Sequence, residues 1–171
     1  MVRDFENTLR SDHDELDTLL HGIFGSLNAA DFEGTFRGLD VFWARLAVHI
    51  RAEHLHLFPA ISGLWSADPQ FAELPVLIAT LRRDHDHFMK ELASLVKLMR
   101  AAESNKPHVL KEAHETLTAL KGRLVEHNRI EEERLYNAGR LFSGGVENIS
   151  ASIQAELNNL PPRLNTLPTK E

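Results

Sequence analysis

The sequence predicts an all-α protein, an up-down-up-down four-helix bundle with a short additional C-terminal helix and an extended tail. Three observations carry that expectation. Apolar residues recur at helical spacing along the chain, Gly and Pro fall mainly between the periodic segments, and one group of His and Glu residues is written twice. A length of 171 residues is one domain's worth. A chain of that size buries about 70% of its unfolded surface.

Taken in order, helix A is expected over about 6–28, where Leu9, His13, Leu16 and Leu20 share one stripe at 100° per residue. Asn28-Ala-Ala-Asp31 is a short link to helix B at about 32–60, whose stripe reads Leu39, Phe42, Leu46, His49, Glu53. Ser66-Ala-Asp-Pro69 is a turn, and helix C at about 75–103 carries Ile78, Leu81, His85, Phe88 and Leu92 on one face. Ser104-Asn-Lys-Pro107 stops that helix, and proline is tolerated in the first turn of the next. Helix D, at about 107–137, presents Leu117, Leu120, Leu124, His127, Glu131 and Leu135. Short links join antiparallel neighbours, which is why four such helices form an up-and-down bundle. After Ser143-Gly-Gly145, Val146 to Leu160 reads as a short amphipathic helix, and Pro161 to Pro168 is too proline-rich for anything but an extended run. The expected division is a bundle over 1–142 and a C-terminal helix and tail over 143–171.

Composition removes several function classes. There is no Cys, so disulfides, thiolate metal sites, iron–sulfur clusters and a cysteine nucleophile are all excluded. A net charge of −6 and a pI near 5.9 argue against a nucleic-acid partner. The first residues lack a basic and then apolar leader, and no apolar run approaches the roughly 18 residues of a membrane span. The expectation is a soluble, cytoplasmic chain with no membrane partner; no feature specifies an oligomeric state.

The repeated phrase carries the chemistry. Arg10-Ser-Asp-His13-Asp-Glu-Leu16 returns in the second half of the chain as Arg82-Arg-Asp-His85-Asp-His-Phe88, and His49-Ile-Arg-Ala-Glu53 returns as His127-Asn-Arg-Ile-Glu131. Each half reads as one helical hairpin bringing two imidazoles and a carboxylate to a shared interior. A single His on an apolar face is ordinarily a hydrogen-bonded core residue. Four His and two Glu in matching order on four helices are not six independent accidents. An unpartnered buried carboxylate costs several kcal/mol, and no Arg or Lys stands on these stripes to offset it. Two divalent cations would.

The candidate ligands are therefore His13, His49, Glu53, His85, His127 and Glu131. Nitrogen and oxygen donors favour iron, manganese or zinc over calcium or magnesium, and spare positions suit non-haem iron. If both Glu bridge, the six residues fill about eight of roughly twelve positions around two six-coordinate ions, leaving room for a small ligand. His56 shares the Glu53 stripe and is a further candidate, although its counterpart in the repeat is Arg134. His54 and His87 are expected to be solvated or to flank an entrance, and His21, His108 and His114 to lie on the surface. Asp12 and Asp84, each preceding a ligand His, are surface carboxylates or hydrogen-bond partners of imidazole.

With those residues in place, the chain resembles the hemerythrin-like, or HHE cation-binding, domains over about residues 8 to 140. The resemblance rests on His13, on His49-x-x-x-Glu53 followed by Leu57-Phe-Pro59, on His85, and on His127-x-x-x-Glu131 followed by Leu135-Tyr136. It implies a four-helix bundle around an oxo- or hydroxo-bridged di-iron centre, with Glu53 and Glu131 as bridges and the His as terminal ligands. It also implies dioxygen, nitric oxide or peroxide as the small ligand, in oxygen carriage, sensing, stress response or peroxide decomposition. Met89 stands where the five-His carriers have another His, which places this chain nearer the four-His, two-Glu branch. A ferritin-like ferroxidase would need Glu-x-x-His on two helices, and that pattern occurs once, at Glu53-x-x-His56. A metal-free helical interaction module would need Glu53 and Glu131 exposed, against their periodicity.

Overall fold

The structure, a computed structural model, describes residues 5–65, 69–102, 106–139 and 146–161. Leu9, Leu16, Leu20, Ile23 and Leu27 repeat every three to seven positions and are all buried along helix α1 (Phe5–Asn28). The chain then reverses through Ala30, which takes the left-handed conformation at φ 53°. Asp31 opens α2 (Phe32–Ala52) by accepting a hydrogen bond from the Gly34 amide at 2.9 Å, satisfying a donor that the first turn leaves free.

Helices B and D of the sequence reading are longer than expected and each is interrupted. After α2 comes a π-helical turn, Glu53–Leu57, and then α3 (Phe58–Trp65), so this helical path runs past residue 60. In α4 (Leu74–Ala101) Pro75 sits in the first turn, where its missing N–H costs nothing. Helix α5 (Lys106–Ile130) begins with Lys106-Pro107 in the same manner. It is followed by a second π-turn, Glu131–Leu135, and then α6 (Tyr136–Gly139). Helix α7 (Val146–Leu157) stops short of the expected Leu160. Among the described residues there is no strand. The expected turn at 66–69, the stop at 104–107, the Ser143-Gly-Gly145 region and the proline-rich tail after Pro161 fall wholly or largely outside the described residues.

Packing follows a closed circuit: α1 against α2, α2 against α4, α4 against α5, and α5 back against α1. In the first pair Ile23 lies on Gly38 while His13 meets His49, so the two helices run antiparallel. Two apolar clusters fill the interior. One gathers Leu16, Leu20, Phe42, Leu46, Phe88, Leu92 and Leu120; the other gathers Phe5, Leu9, Leu57, Phe58, Leu81, Leu135 and Tyr136. Between them, in chain position on every helix of the circuit, lies a buried polar layer. Helix α7 covers α1 and α2, buries Ile153 and Leu157 in the second cluster, and receives a hydrogen bond from Arg45 Nη1 to the Leu157 carbonyl at 2.9 Å. No helix among the described residues is long and apolar enough to cross a membrane.

Two substitutions test this account in denaturant unfolding. Asp31→Ala removes the cap of α2 and is expected to lower stability by about 1 kcal/mol. Phe42→Ala, at a fully buried site, is expected to lower it by about 3–5 kcal/mol.

Candidate metal centre

The polar layer consists of His13, His49, Glu53, His85, His127 and Glu131, none more than 5% exposed. They form two groups, His13, His49, Glu53, Glu131 and Glu53, His85, His127, Glu131, in each of which one donor atom per residue lies within 4.8 Å of all the others. All six sequence candidates are thus brought together. The two carboxylates belong to both groups.

The Nε2 atoms of His13 and His49 are 3.2 Å apart, and those of His85 and His127 are 2.9 Å apart. Two imidazoles at right angles on one ion, each about 2.1 Å from it, would place their nitrogens about 3.0 Å from one another. Each carboxylate spans the pairs. Glu53 has Oε1 at 3.6 Å from His49 Nε2 and Oε2 at 3.3 Å from His85 Nε2. Glu131 has Oε2 at 3.5 Å from His13 Nε2 and Oε1 at 3.0 Å from His127 Nε2. Glu53 Oε2 and both Glu131 oxygens are buried without a hydrogen-bond partner. Such atoms are costly unless something else satisfies them, and a cation shared between the pairs would. Buried His and Glu here can hold a metal.

Both π-turns begin at the carboxylate. His49 and His127 close the regular helices, and Glu53 and Glu131 open the wider turns one helical step later. Such π-bulges are often found at functional sites. Glu53-His-Leu-His-Leu57 and Glu131-Glu-Glu-Arg-Leu135 share only their end residues and contain neither Gly nor Pro, so nothing local marks the interruption. His56 lies inside the first π-turn and outside both groups. The wider turn carries it off the stripe that an unbroken helix would give.

Around the layer runs a ring of hydrogen bonds. Glu132 Oε1 accepts from His13 Nδ1 at 2.9 Å, Asp12 Oδ2 from His49 Nδ1 at 2.8 Å, and Asp84 Oδ2 from His127 Nδ1 at 3.3 Å. The fourth contact joins His54 Nε2 to His85 Nδ1 at 2.9 Å. Each outer residue is the chain neighbour of a candidate ligand and reaches the imidazole of the next helix in the circuit. A 100° offset from the core direction points into the seam between two helices, not into water. This corrects the expectation for His54, which is half-buried against α4 rather than solvated. Guanidinium groups back the ring: Arg10 on Glu132, Arg45 on Asp12, Arg123 on Asp84, and Arg82 on His54. Occupying Nδ1 leaves Nε2 for the interior, the orientation a ligand needs.

Tyr136, the chain's one tyrosine, is not among the sequence candidates. It is fully buried, with its hydroxyl 3.4 Å from both Glu53 Oε1 and His13 Nε2. Its place directly after Leu135, in the motif that follows His127-x-x-x-Glu131, is the available signal. Phe88 stands edge-on to His127 at 5.3 Å and Phe58 stacks on His85 at 5.9 Å, closing the layer with apolar rings. His87 is partly buried beside Phe88, and His21, His108 and His114 are exposed.

No protein-family model, curated protein or solved structure matches the chain.

The electrostatics describe the protein without an ion. Burial alone would lower His49, but the Glu53 charge and the Asp12 hydrogen bond outweigh it and hold its pKa well above 6.5. Burial likewise opposes the charged forms of His13 and His127. His13 is raised nonetheless by Glu131, whose Oε2 lies 3.5 Å from its Nε2, and by its hydrogen bond to Glu132, and His127 by the Glu131 charge. Burial pushes His85 down to about 2. Burial would raise Glu131, but the surrounding imidazoles, His127 first, hold it well below the usual carboxylate range; Glu53 is raised by burial and by the Glu131 charge.

The raised His13, His49 and His127 bind protons more tightly folded than unfolded. Their contribution is complete below about pH 6.5 and is lost as pH climbs through the folded values, whereas His85 is neutral in both states above 6.5 and adds nothing there. Chelator-treated protein is expected to melt at progressively lower temperature as the pH is raised above 6.5. A melting temperature flat or rising over that range would contradict the assignment of these partners.

Proposed function

We propose that the chain is a hemerythrin-like, non-haem di-iron protein that binds or reacts with a small oxidant or gas (dioxygen, nitric oxide or peroxide) in sensing or stress response. The observation that carries this reading is the pair of fully buried carboxylates shared by two His pairs, with three of their four oxygens unsatisfied. The circuit of α1, α2, α4 and α5 is read as an up-down-up-down four-helix bundle, with α7 as the additional helix. Its order of His, His-x-x-x-Glu, His, His-x-x-x-Glu supports the family resemblance.

In this reading His13 and His49 would hold one ion, His85 and His127 the other, and Glu53 and Glu131 are available to both. An all-nitrogen and oxygen donor set suits iron, with manganese and zinc as competitors. Iron would supply reversible one-electron redox and open positions for the small ligand. The protein's part is distinct. Glu53 and Glu131 would offset the cationic charge, and Asp12, Glu132 and Asp84 fix the imidazoles by accepting hydrogen bonds from their Nδ1–H groups. The Tyr136 hydroxyl offers a hydrogen bond on the His13 side of the layer, and Phe58, Phe88 and the two apolar clusters keep water out.

Elemental analysis and an absorption spectrum of the protein purified in air test the proposal. About two irons per chain with near-ultraviolet charge-transfer bands are expected. His49→Ala and Glu131→Ala are each expected to lose metal and thermal stability, since each leaves a buried partner unsatisfied. Two ions retained in both variants, or zinc as the sole metal even after anaerobic iron loading, would sink it. Peroxide consumed steadily by the iron form would assign an enzyme, whereas ligand binding without turnover would assign a sensor or carrier.

A further inference from the structure

The ring around the metal layer repeats itself with one exception. Asp12 and Asp84 take equivalent roles in the two halves of the chain, as do Arg10 and Arg82. Glu132 and His54 occupy equivalent places, the residue after each shared carboxylate, and differ in chemistry. A carboxylate only accepts hydrogen bonds, whereas a neutral imidazole that accepts at one nitrogen must donate from the other.

On the His13 side both ends of the chain of contacts are acceptors. Glu132 and Asp12 hold the two Nδ1–H groups, so both Nε2 atoms face the interior and an ion has only to displace a proton held there, with no proton to be moved onto Nδ1. On the His85 side one end is a donor. Arg82 Nη1 lies 3.2 Å from His54 Nδ1 and can only donate, so His54 presents Nε2–H to His85 Nδ1 at 2.9 Å. His85 then carries its own proton on Nε2, which faces Glu53 Oε2 at 3.3 Å, while His127 Nδ1–H donates to Asp84 at 3.3 Å. The contacts from Arg82 through His54 to His85 all run in this one direction. It is also the direction in which His85 has no lone pair for an ion.

Resting on the di-iron reading, we propose that Arg82 and His54 make the centre unequal: the His13/His49 position takes its ion first and firmly, and the His85/His127 position is the weaker, exchangeable one. To bind there, His85 must move its proton from Nε2 to Nδ1. His85 gives up the Nε2 proton to water and receives one at Nδ1 from His54, and His54 takes one from water at its own Nδ1. The proton count is unchanged. The new His54 Nδ1–H faces the Arg82 guanidinium, donor against donor, so filling the second position breaks that contact. The second position is also backed by one carboxylate where the first has two, so its bound cation is offset less.

Outer partners of this kind are worth about 10–100-fold in metal affinity. Anaerobic titration of the metal-free full-length protein with ferrous iron, followed by calorimetry, is expected to show two steps separated by about that factor. His54→Glu, which copies Glu132, should strengthen the second step and leave the first unchanged. Arg82→Gln should do the same, because the amide oxygen can accept from His54 Nδ1–H, and it serves if the first variant does not fold. Nitrogen-15 shifts of the metal-free imidazoles, which a merely structural role would not set, should report Nε2 protonation at His85 and Nδ1 protonation at His127. Two equal steps in the parent protein, a gap unchanged by both variants, or His85 protonated at Nδ1 would overturn the inequality while a two-iron stoichiometry left the di-iron reading standing. No iron bound at all would overturn both.

Discussion

Glu53 and Glu131 sit side by side with no solvent contact, and the surrounding structure is organised around that arrangement. Two carboxylates placed together in a dry interior would ordinarily force one to hold a proton, which is the direction in which Glu53 moves. Four imidazoles face them, four outer groups fix the imidazoles, and four guanidinium groups back the outer groups. On three of the four sides charge therefore alternates outward from the layer in steps of a few ångströms. Apolar clusters above and below supply the stability that such a layer cannot supply for itself.

The helix circuit makes that alternation possible with little sequence. On each helical path a candidate ligand points inward and its chain neighbour, 100° away, points along the seam to the next helix. Dipeptides such as Asp12-His13 and Glu131-Glu132 therefore reach two different helices from one. The seam geometry ties the register of every helix to that of its neighbours, because sliding any one by a residue would break its ligand and its outer contact together.

Much of this was legible in the sequence, and the reason is physical. Helical periodicity is imposed by burial, so His13, His49, Glu53, His85, His127 and Glu131 announced their inward direction by sharing stripes with Leu and Phe. The partners that lie off the stripes were harder. His54 is 100° from the core direction, and a single sequence does not say whether that angle meets water or a neighbouring helix; only the order of helices around the circuit decides it. Glu132 was obscured for the same reason, Tyr136 was legible as part of the repeated motif but not as a neighbour of the layer, and the π-turns were hidden because wider turns need no special residue. His56 was drawn onto the stripe by assuming an unbroken helix.

Arg45 gives α7 a meaning beyond coverage. The same guanidinium that steadies Asp12 also donates to the last carbonyl of α7 at Leu157, so only Arg45 and Asp12 stand between the end of that helix and the His49 ring. A side chain shared in this way works as a mechanical coupling. The tilt of the His49 ring and the seat of the α7 end therefore hang on one pair of side chains, Asp12 and Arg45, and not on the apolar interior.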